Sequence, residues 1–336
     1  MIIGAQSAIR GVVEQFVREE LSHENAQIAG AVWAMLDAGG KELRPRMTML
    51  AARSTSDNIA PDPILASYME LIHVATLIHD DVVDNANLRR GRDSTNRVHG
   101  NRFSVLAGDY LFAWVFKKIT QGYENPVPTI LATMLSEICN GEVKQLRATG
   151  NLALSRDQYF EIIGKKTAEL FASCAEVGSI VALQHTTGKV GPHMREHPVV
   201  KALRAYGWAF GMAFQVRDDL LDVIASEAAI GKPAGSDLRE HKVTLPLIAA
   251  LESGDAAVRE CAARFFAYDG RDDAEGARVA LSTLIAYLRA SIAVAQTKRV
   301  AAQFEQHARA ALDQLPASEA TAELQALTHT LSEYSS

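Results

Sequence analysis

Residues 70–96 constrain the chain more tightly than any other stretch. An apolar run, Glu70-Leu71-Ile72-His73-Val74-Ala75-Thr76-Leu77-Ile78-His79, ends in Asp80-Asp81-Val82-Val83-Asp84, and Arg89-Arg90-Gly91 follows. The run reads as a buried helix, yet it finishes with three carboxylates within five residues. Burying them without counter-charge would cost many kcal/mol, so something positive must meet them. At about 100° per residue, Asp80 and Asp84 share one face, one turn apart, with His73 two turns before Asp80 on the same stripe. Carboxylates so placed suit a hard cation such as Mg²⁺, which takes one or two of them and completes its shell with water and phosphate oxygens. Arg89 and Arg90 can grip further phosphate oxygens. Taken alone, the segment also fits a solvated acidic helix end before a basic loop. A second copy, Phe214-Gln215-Val216-Arg217-Asp218-Asp219-Leu220-Leu221-Asp222, weighs against that. If the two helix ends face each other, up to six carboxylates line one cavity, tolerable only with several cations between them.

Composition agrees with a helical fold. The chain has 336 residues, 48% of them apolar and only 7% aromatic, with Ala and Leu prominent, a mix that favours helices over sheets. That length fits one large helical domain over residues 1–336, with 1–25 a peripheral helix. The net charge of −6 argues against a nucleic-acid binder relying on bulk positive potential. Cys139, Cys174 and Cys261 lie far apart without a Cys-x-x-Cys pair, so neither a zinc site nor a disulfide framework is indicated. The first residues lack a signal peptide's pattern, and no apolar run reaches the roughly 18 residues that span a bilayer. A cytoplasmic protein is expected.

In chain order, an amphipathic segment from Ser7 to Leu21 and a helix from Ile28 to Leu36 lead to Gly39-Gly40-Lys41-Glu42-Leu43-Arg44-Pro45. Lys41 and Arg44 at a helix start can address one phosphate group. Pro61-Asp62-Pro63 opens the helix that ends in the first cluster. A helix resumes at Val105 to Phe116, another runs to about Leu146, and a long one spans Tyr159 to Leu183. The last is interrupted at Lys165-Lys166-Thr167, where lysines in an apolar stretch must snorkel or meet an anion, so Lys166 is a candidate ligand contact. Val199 to Val223 carries the second cluster, with Gly207, Gly211 and Ala213 small enough for close packing. Gly231-Lys232-Pro233-Ala234-Gly235-Ser236-Asp237 reads as a loop, followed by Glu240-His241-Lys242. Arg271-Asp272-Asp273-Ala274-Glu275 reads as solvated surface, and no strand-like alternation is visible.

The two aspartate clusters, the first with its Arg-Arg-Gly, together with Gly-Gly-Lys-x-x-Arg-Pro, Phe-Gln-x-x-Asp-Asp and Gly-Lys-Pro-x-Gly-x-Asp, form an ordered set. As a set they resemble the trans-isoprenyl (polyprenyl) diphosphate synthases, most of all the long-chain bacterial ones, from about residue 25 to about residue 320. The resemblance implies an all-α fold, a single large helical bundle around a deep central cavity, usually a homodimer. Its substrates would be isopentenyl diphosphate and an allylic diphosphate, farnesyl or geranylgeranyl. Lys41, Arg44, His73 and Arg90 would bind the diphosphate of isopentenyl diphosphate. Asp80, Asp84 and Asp218 would ligate Mg²⁺, with Asp81, Asp219 and Asp222 assisting. Arg89, Lys166, Thr167, Gln215, Lys232 and Lys242 would hold the allylic diphosphate, Lys166 and Lys232 sharing the catalytic work with the ligating aspartates. Two positions depart from the pattern. His241 stands where Gly is common before the lysine, which bears on where Lys242 reaches, and Asp93-Ser94-Thr95 replaces Pro-Thr-Val.

The chemistry of these residues fits that reading. An allylic C–O bond can ionise because the cation is delocalised, but the diphosphate leaves slowly unless its charge is neutralised. In the resembling family, bulky aromatics at the fifth and fourth positions before the first cluster stop the product early. Here those positions are Ala75 and Thr76, so a product longer than farnesyl or geranylgeranyl is expected, with Met134, Leu135 and Ile138 as candidate floor residues. The alternatives are a short-chain synthase, a terpene cyclase and a non-catalytic partner subunit. A cyclase is expected to carry an Asn/Ser/Glu-containing second metal motif, and a partner subunit has no need of both clusters with their lysines and arginines.

Overall fold

The long helix α3, Pro63–Val83, shows how the sequence sets the elements. Asp62 caps it, its carboxylate accepting from the N–H of Ile64 at 2.9 Å and of Leu65 at 3.1 Å, and Pro63 occupies its first turn. Leu65, Met69, Ile72, Ala75 and Ile78 recur at helical spacing and are buried. Each such Leu or Ile contributes about 1.5–3 kcal/mol by leaving water. The fold is that of a computed structural model, described over residues 11, 14, 18, 26–56, 59–225, 235–268 and 274–333. The described residues are almost entirely helical, as expected for an all-α protein.

The chain divides into two compact units. The first comprises Met1–Thr133, Phe171–Gly207 and Leu312–Leu324. Here α1 (Ala26–Asp37), α2 (Leu43–Thr55) and α5 (Asn101–Gly122) gather around α3, with the short α4 (Thr95–His99) leading into α5. Helix α8 (Glu169–Thr187) lies so close to α2 that a Cβ on Gly178 would stand 2.2 Å from the Thr48 carbonyl oxygen.

Between α3 and α4, β1 (Leu88–Arg89) pairs antiparallel with β2 (Arg92–Asp93). The sequence shows no strand signal for this ladder. It is a tight hairpin whose central residues, Arg90 and Gly91, have φ of 52° and 77°, the left-handed pair that a two-residue hairpin turn needs.

The second unit comprises Met134–Leu170, Trp208–Ala311 and Gln325–Ser336. Its core includes Ile163, Val216, Val223, Leu238, Leu245, Leu284 and Leu288. A capping box at Ser155 and Gln158 starts α7, Arg156–Ile163. The expected interruption at Lys165-Lys166-Thr167 is a π-helical turn, Gly164–Ala168, after which the α-helix resumes. Helix α6 (Val127–Ala148) comes near this turn, since a Cβ on Gly141 would stand 2.7 Å from the Lys166 backbone nitrogen. Helix α9 (Pro198–Ile224) carries the second acidic cluster, and the four-residue α10 (Ser236–Arg239) follows it.

Among the described residues no single helix is long and apolar enough to cross a membrane. Most of the segment Ser7 to Leu21, all of Lys232, and Arg271 to Asp273 lie outside the described residues.

Candidate active site

The first acidic cluster closes α3. Asp84 ends the helix with its N–H on the Asp80 carbonyl at 2.8 Å, and both side chains are half-buried. Asp81 differs. It is fully buried, and its Oδ1 accepts from Arg89 Nε at 2.9 Å and from Arg89 Nη2. Its Oδ2 is buried without a hydrogen bond. Burial pushes the Asp81 carboxyl up, against the pull of Arg89. The side chain of Asn96 donates to the Asp81 carbonyl at 3.0 Å, which ties α4 to the end of α3.

Beside the cluster lies a pocket lined in part by Gly39, Gly40, Glu70, Val74 and Arg90. A Cβ on Gly40 would stand 3.0 Å from Arg90 Nη1, so the missing side chain is what admits the guanidinium. Arg44 lies over the Phe171 ring at 4.6 Å, and its Nε is buried without a hydrogen-bond partner. Burial holds His73 well below its usual range, and Arg44, Arg90 and Arg89 push the same way. His73 is therefore neutral at pH 7, an acceptor or donor beside arginines that carry the charge. Lys41 is exposed just ahead of α2.

Glu70 is the member of this group to which its sequence context assigns no role. Burial raises its pKa, while Arg44 and Arg90 lower it. An acid in the middle of an apolar helix, one turn before His73, is the signal that marks it.

The second cluster repeats the division. Asp218 is exposed, whereas Asp219 and Asp222 are 3% and 2% exposed. Asp219 accepts from the Tyr159 hydroxyl at 2.6 Å and from Gln215 Nε2 at 2.7 Å, and Gln215 Oε1 accepts from Thr167 Oγ1 at 2.8 Å. Burial pushes Asp219 up to about 7, and drives Tyr159 well above 10. Asp222 caps α10, accepting from the Ser236 N–H at 3.2 Å, the Ser236 hydroxyl at 2.5 Å and the Asp237 N–H at 3.0 Å.

The lysines arrive already paired. Lys166 meets Glu142 at 2.5 Å, Lys165 meets Glu137, and Lys242 meets Glu240 at 2.6 Å. Glu142 and Tyr159, like Glu70, escape sequence reasoning because their partners are distant in the chain.

Among the described residues no group of three His, Cys, Asp or Glu side chains could hold a metal ion unaided. The donor set nevertheless fits Mg²⁺. Asp80 and Asp84 offer carboxylates one turn apart in the first unit, within the one or two that Mg²⁺ takes when substrate oxygens supply the rest, and Asp218 offers an exposed carboxylate in the second.

A family model, polyprenyl synthetase, matches residues 25–282. The chain belongs to the polyprenyl synthetase family. An all-trans-nonaprenyl-diphosphate synthase (geranyl-diphosphate specific) from Rhodobacter capsulatus is 36% identical to this synthase over 307 residues, covering 91% of this chain and 89% of its own. The crystal structure of a decaprenyl diphosphate synthase from the same organism matches with a TM-score of 0.85 at 36% identity, over 100% of this chain and 97% of that one. A polyprenyl synthase from Caulobacter crescentus, complexed with calcium and isoprenyl diphosphate, matches with a TM-score of 0.85 at 35% identity, over 99% and 96%. The synthase is accordingly a prenyltransferase of isoprenoid-synthase fold.

Proposed function

We propose that the synthase, a single domain over residues 1–336, transfers an allylic prenyl group repeatedly to isopentenyl diphosphate and builds a long all-trans polyprenyl diphosphate. The observation that carries this is the shared division of labour in the two clusters: Asp80, Asp84 and Asp218 remain accessible, while Asp81, Asp219 and Asp222 are buried on protein partners. A merely solvated acidic surface would not bury half of its carboxylates and brace each one.

Asp80, Asp84 and Asp218 would hold Mg²⁺, which when bound would supply positive charge against the leaving diphosphate. Lys166, Lys232 and Lys242, with Arg89, Thr167 and Gln215, hold and neutralise that diphosphate. Asp81 holds Arg89 in place and Glu142 does the same for Lys166. Lys41, Arg44, Arg90 and neutral His73 hold the second diphosphate, with Glu70 steadying the two arginines. The allylic C–O bond breaks, the isopentenyl double bond attacks the cation, and a new C–C bond forms. The departing pyrophosphate takes the proton then lost, since the set offers no obvious base.

Product length follows from α3. Ala75 is fully buried and Thr76 turns its hydroxyl to the His73 carbonyl at 2.7 Å, so neither side chain has the bulk to stop a growing chain. Met134 and Ile138 are buried and Leu135 half-buried, as candidate floor residues should be. The exposed apolar side chains of Val98, Val105 and Leu106 support a homodimer.

Incubating the purified protein with Mg²⁺, isopentenyl diphosphate and farnesyl or geranylgeranyl diphosphate, then separating the products by chromatography, tests the proposal. Products longer than geranylgeranyl are expected, and Asp80→Asn and Asp218→Asn should each lower turnover by about 10²-fold or more. Full turnover by both variants would refute the mechanism.

A further inference from the structure

We propose that His241 is a positioning residue that aims Lys242, and that it does so through an aromatic clamp. His241 is a non-glycine residue at φ 54°, a left-handed conformation that its Cβ disfavours. The surroundings hold it there from three sides. Its ring stacks on Phe266 with centroids 5.1 Å apart and planes 24° from parallel, and meets the edge of Phe265 at 5.5 Å. Its carbonyl accepts from the Gly150 N–H at 2.9 Å, and its own N–H donates to Leu238 at 2.9 Å.

Lys242 is the next residue. Its N–H donates to the Asp237 carbonyl at 2.8 Å, and the Asp237 N–H in turn rests on the Asp222 carboxylate at 3.0 Å. The turn bearing Lys242 is thus tied to the acidic cluster at one end and clamped by aromatic rings at the other. Glycine would adopt this backbone freely and would leave the lysine free to wander. A stacked histidine accepts strain and fixes the direction in which the ammonium points.

The inference rests on the reading that Lys242 holds the allylic diphosphate, and the test separates the two. Steady-state rates are measured on the full chain with each substrate varied in turn, alongside thermal unfolding. His241→Ala keeps the strained backbone and removes the ring. It should raise the KM for the allylic diphosphate about five- to tenfold, the worth of a lost aromatic pair, leave the KM for isopentenyl diphosphate in place and lower the melting temperature by no more than a few degrees. His241→Phe, which keeps a ring to stack, should restore most of the loss. Phe266→Leu should reproduce His241→Ala in the wild-type background and add nothing to it in the double variant. Lys242→Ala serves as the reference and should raise the allylic KM at least as much. An unchanged allylic KM in His241→Ala, with a raised one in Lys242→Ala, overturns the clamp alone. Unchanged values in both overturn the role of Lys242 and the clamp with it. Equal rises for both substrates, with a melting temperature that falls by more than a few degrees, make His241 merely structural and overturn the proposal.

Discussion

His73 and Glu70 sit one turn apart on α3, and burial moves them in opposite senses along the pH scale. His73 is held well below 6.5 in the folded chain, so the unfolded chain takes up its proton first. Stability from His73 is complete above pH 6.5 and is lost as the pH falls below it, by at most about 1.4 kcal/mol per pH unit. Glu70, raised above 4.5, works the other way, favouring the fold below that pH and losing its contribution as the pH rises. His73→Gln, which cannot be protonated, should flatten the pH dependence of unfolding between about pH 6.5 and pH 5.5, measured by denaturant titration. A second residue-scale prediction concerns Ala75. Phenylalanine in that fully buried place should shorten the product, and an unchanged product spectrum by chromatography would refute the open-tunnel account.

At the scale of elements, α9 is held in place by more than apolar packing. Arg217, next to Asp218, makes a buried ion pair with Glu305 of α11, Ala293–Leu312. Removing one partner strands the other charge, so Glu305→Ala should cost about 3–5 kcal/mol of unfolding free energy, while the paired replacement Arg217→Met with Glu305→Leu should be nearly neutral. Much of the element order was legible beforehand. Pro63 and Asp62 announce α3, and Gly207 announces a close approach, since a Cβ there would stand 2.5 Å from the Phe171 carbonyl oxygen. Charge in an apolar run is costly, so the aspartate clusters and Lys166 stood out. Glu142, Tyr159 and Glu305 did not, because a lone polar residue in a helix looks solvated until its distant partner is known. The hairpin at Arg90 was hidden for a different reason: arginine rarely takes a left-handed turn, and only the surroundings impose it.

For the whole molecule, metal and fold should be separable. Asp81, Asp219 and Asp222, the buried carboxylates of the clusters, are each held by protein groups, Arg89, Tyr159, Gln215 and Ser236 among them. Chelation of divalent ions should therefore abolish product formation and shift the melting temperature by no more than a few degrees, as read by calorimetry with and without EDTA. A fold built around the ions would instead collapse with them.

The wide turn at Gly164–Ala168 has a consequence for timing along the helix. Tyr159 and Thr167 both reach α9, one at Asp219 and the other at Gln215. Eight positions of ordinary helix rotate through about 800°, which leaves the two side chains about 80° out of phase. The slower winding of the wide turn absorbs most of that excess. Ordinary winding over the same eight positions would swing one of the two hydroxyls away from its carboxylate or amide, with no chemical group altered.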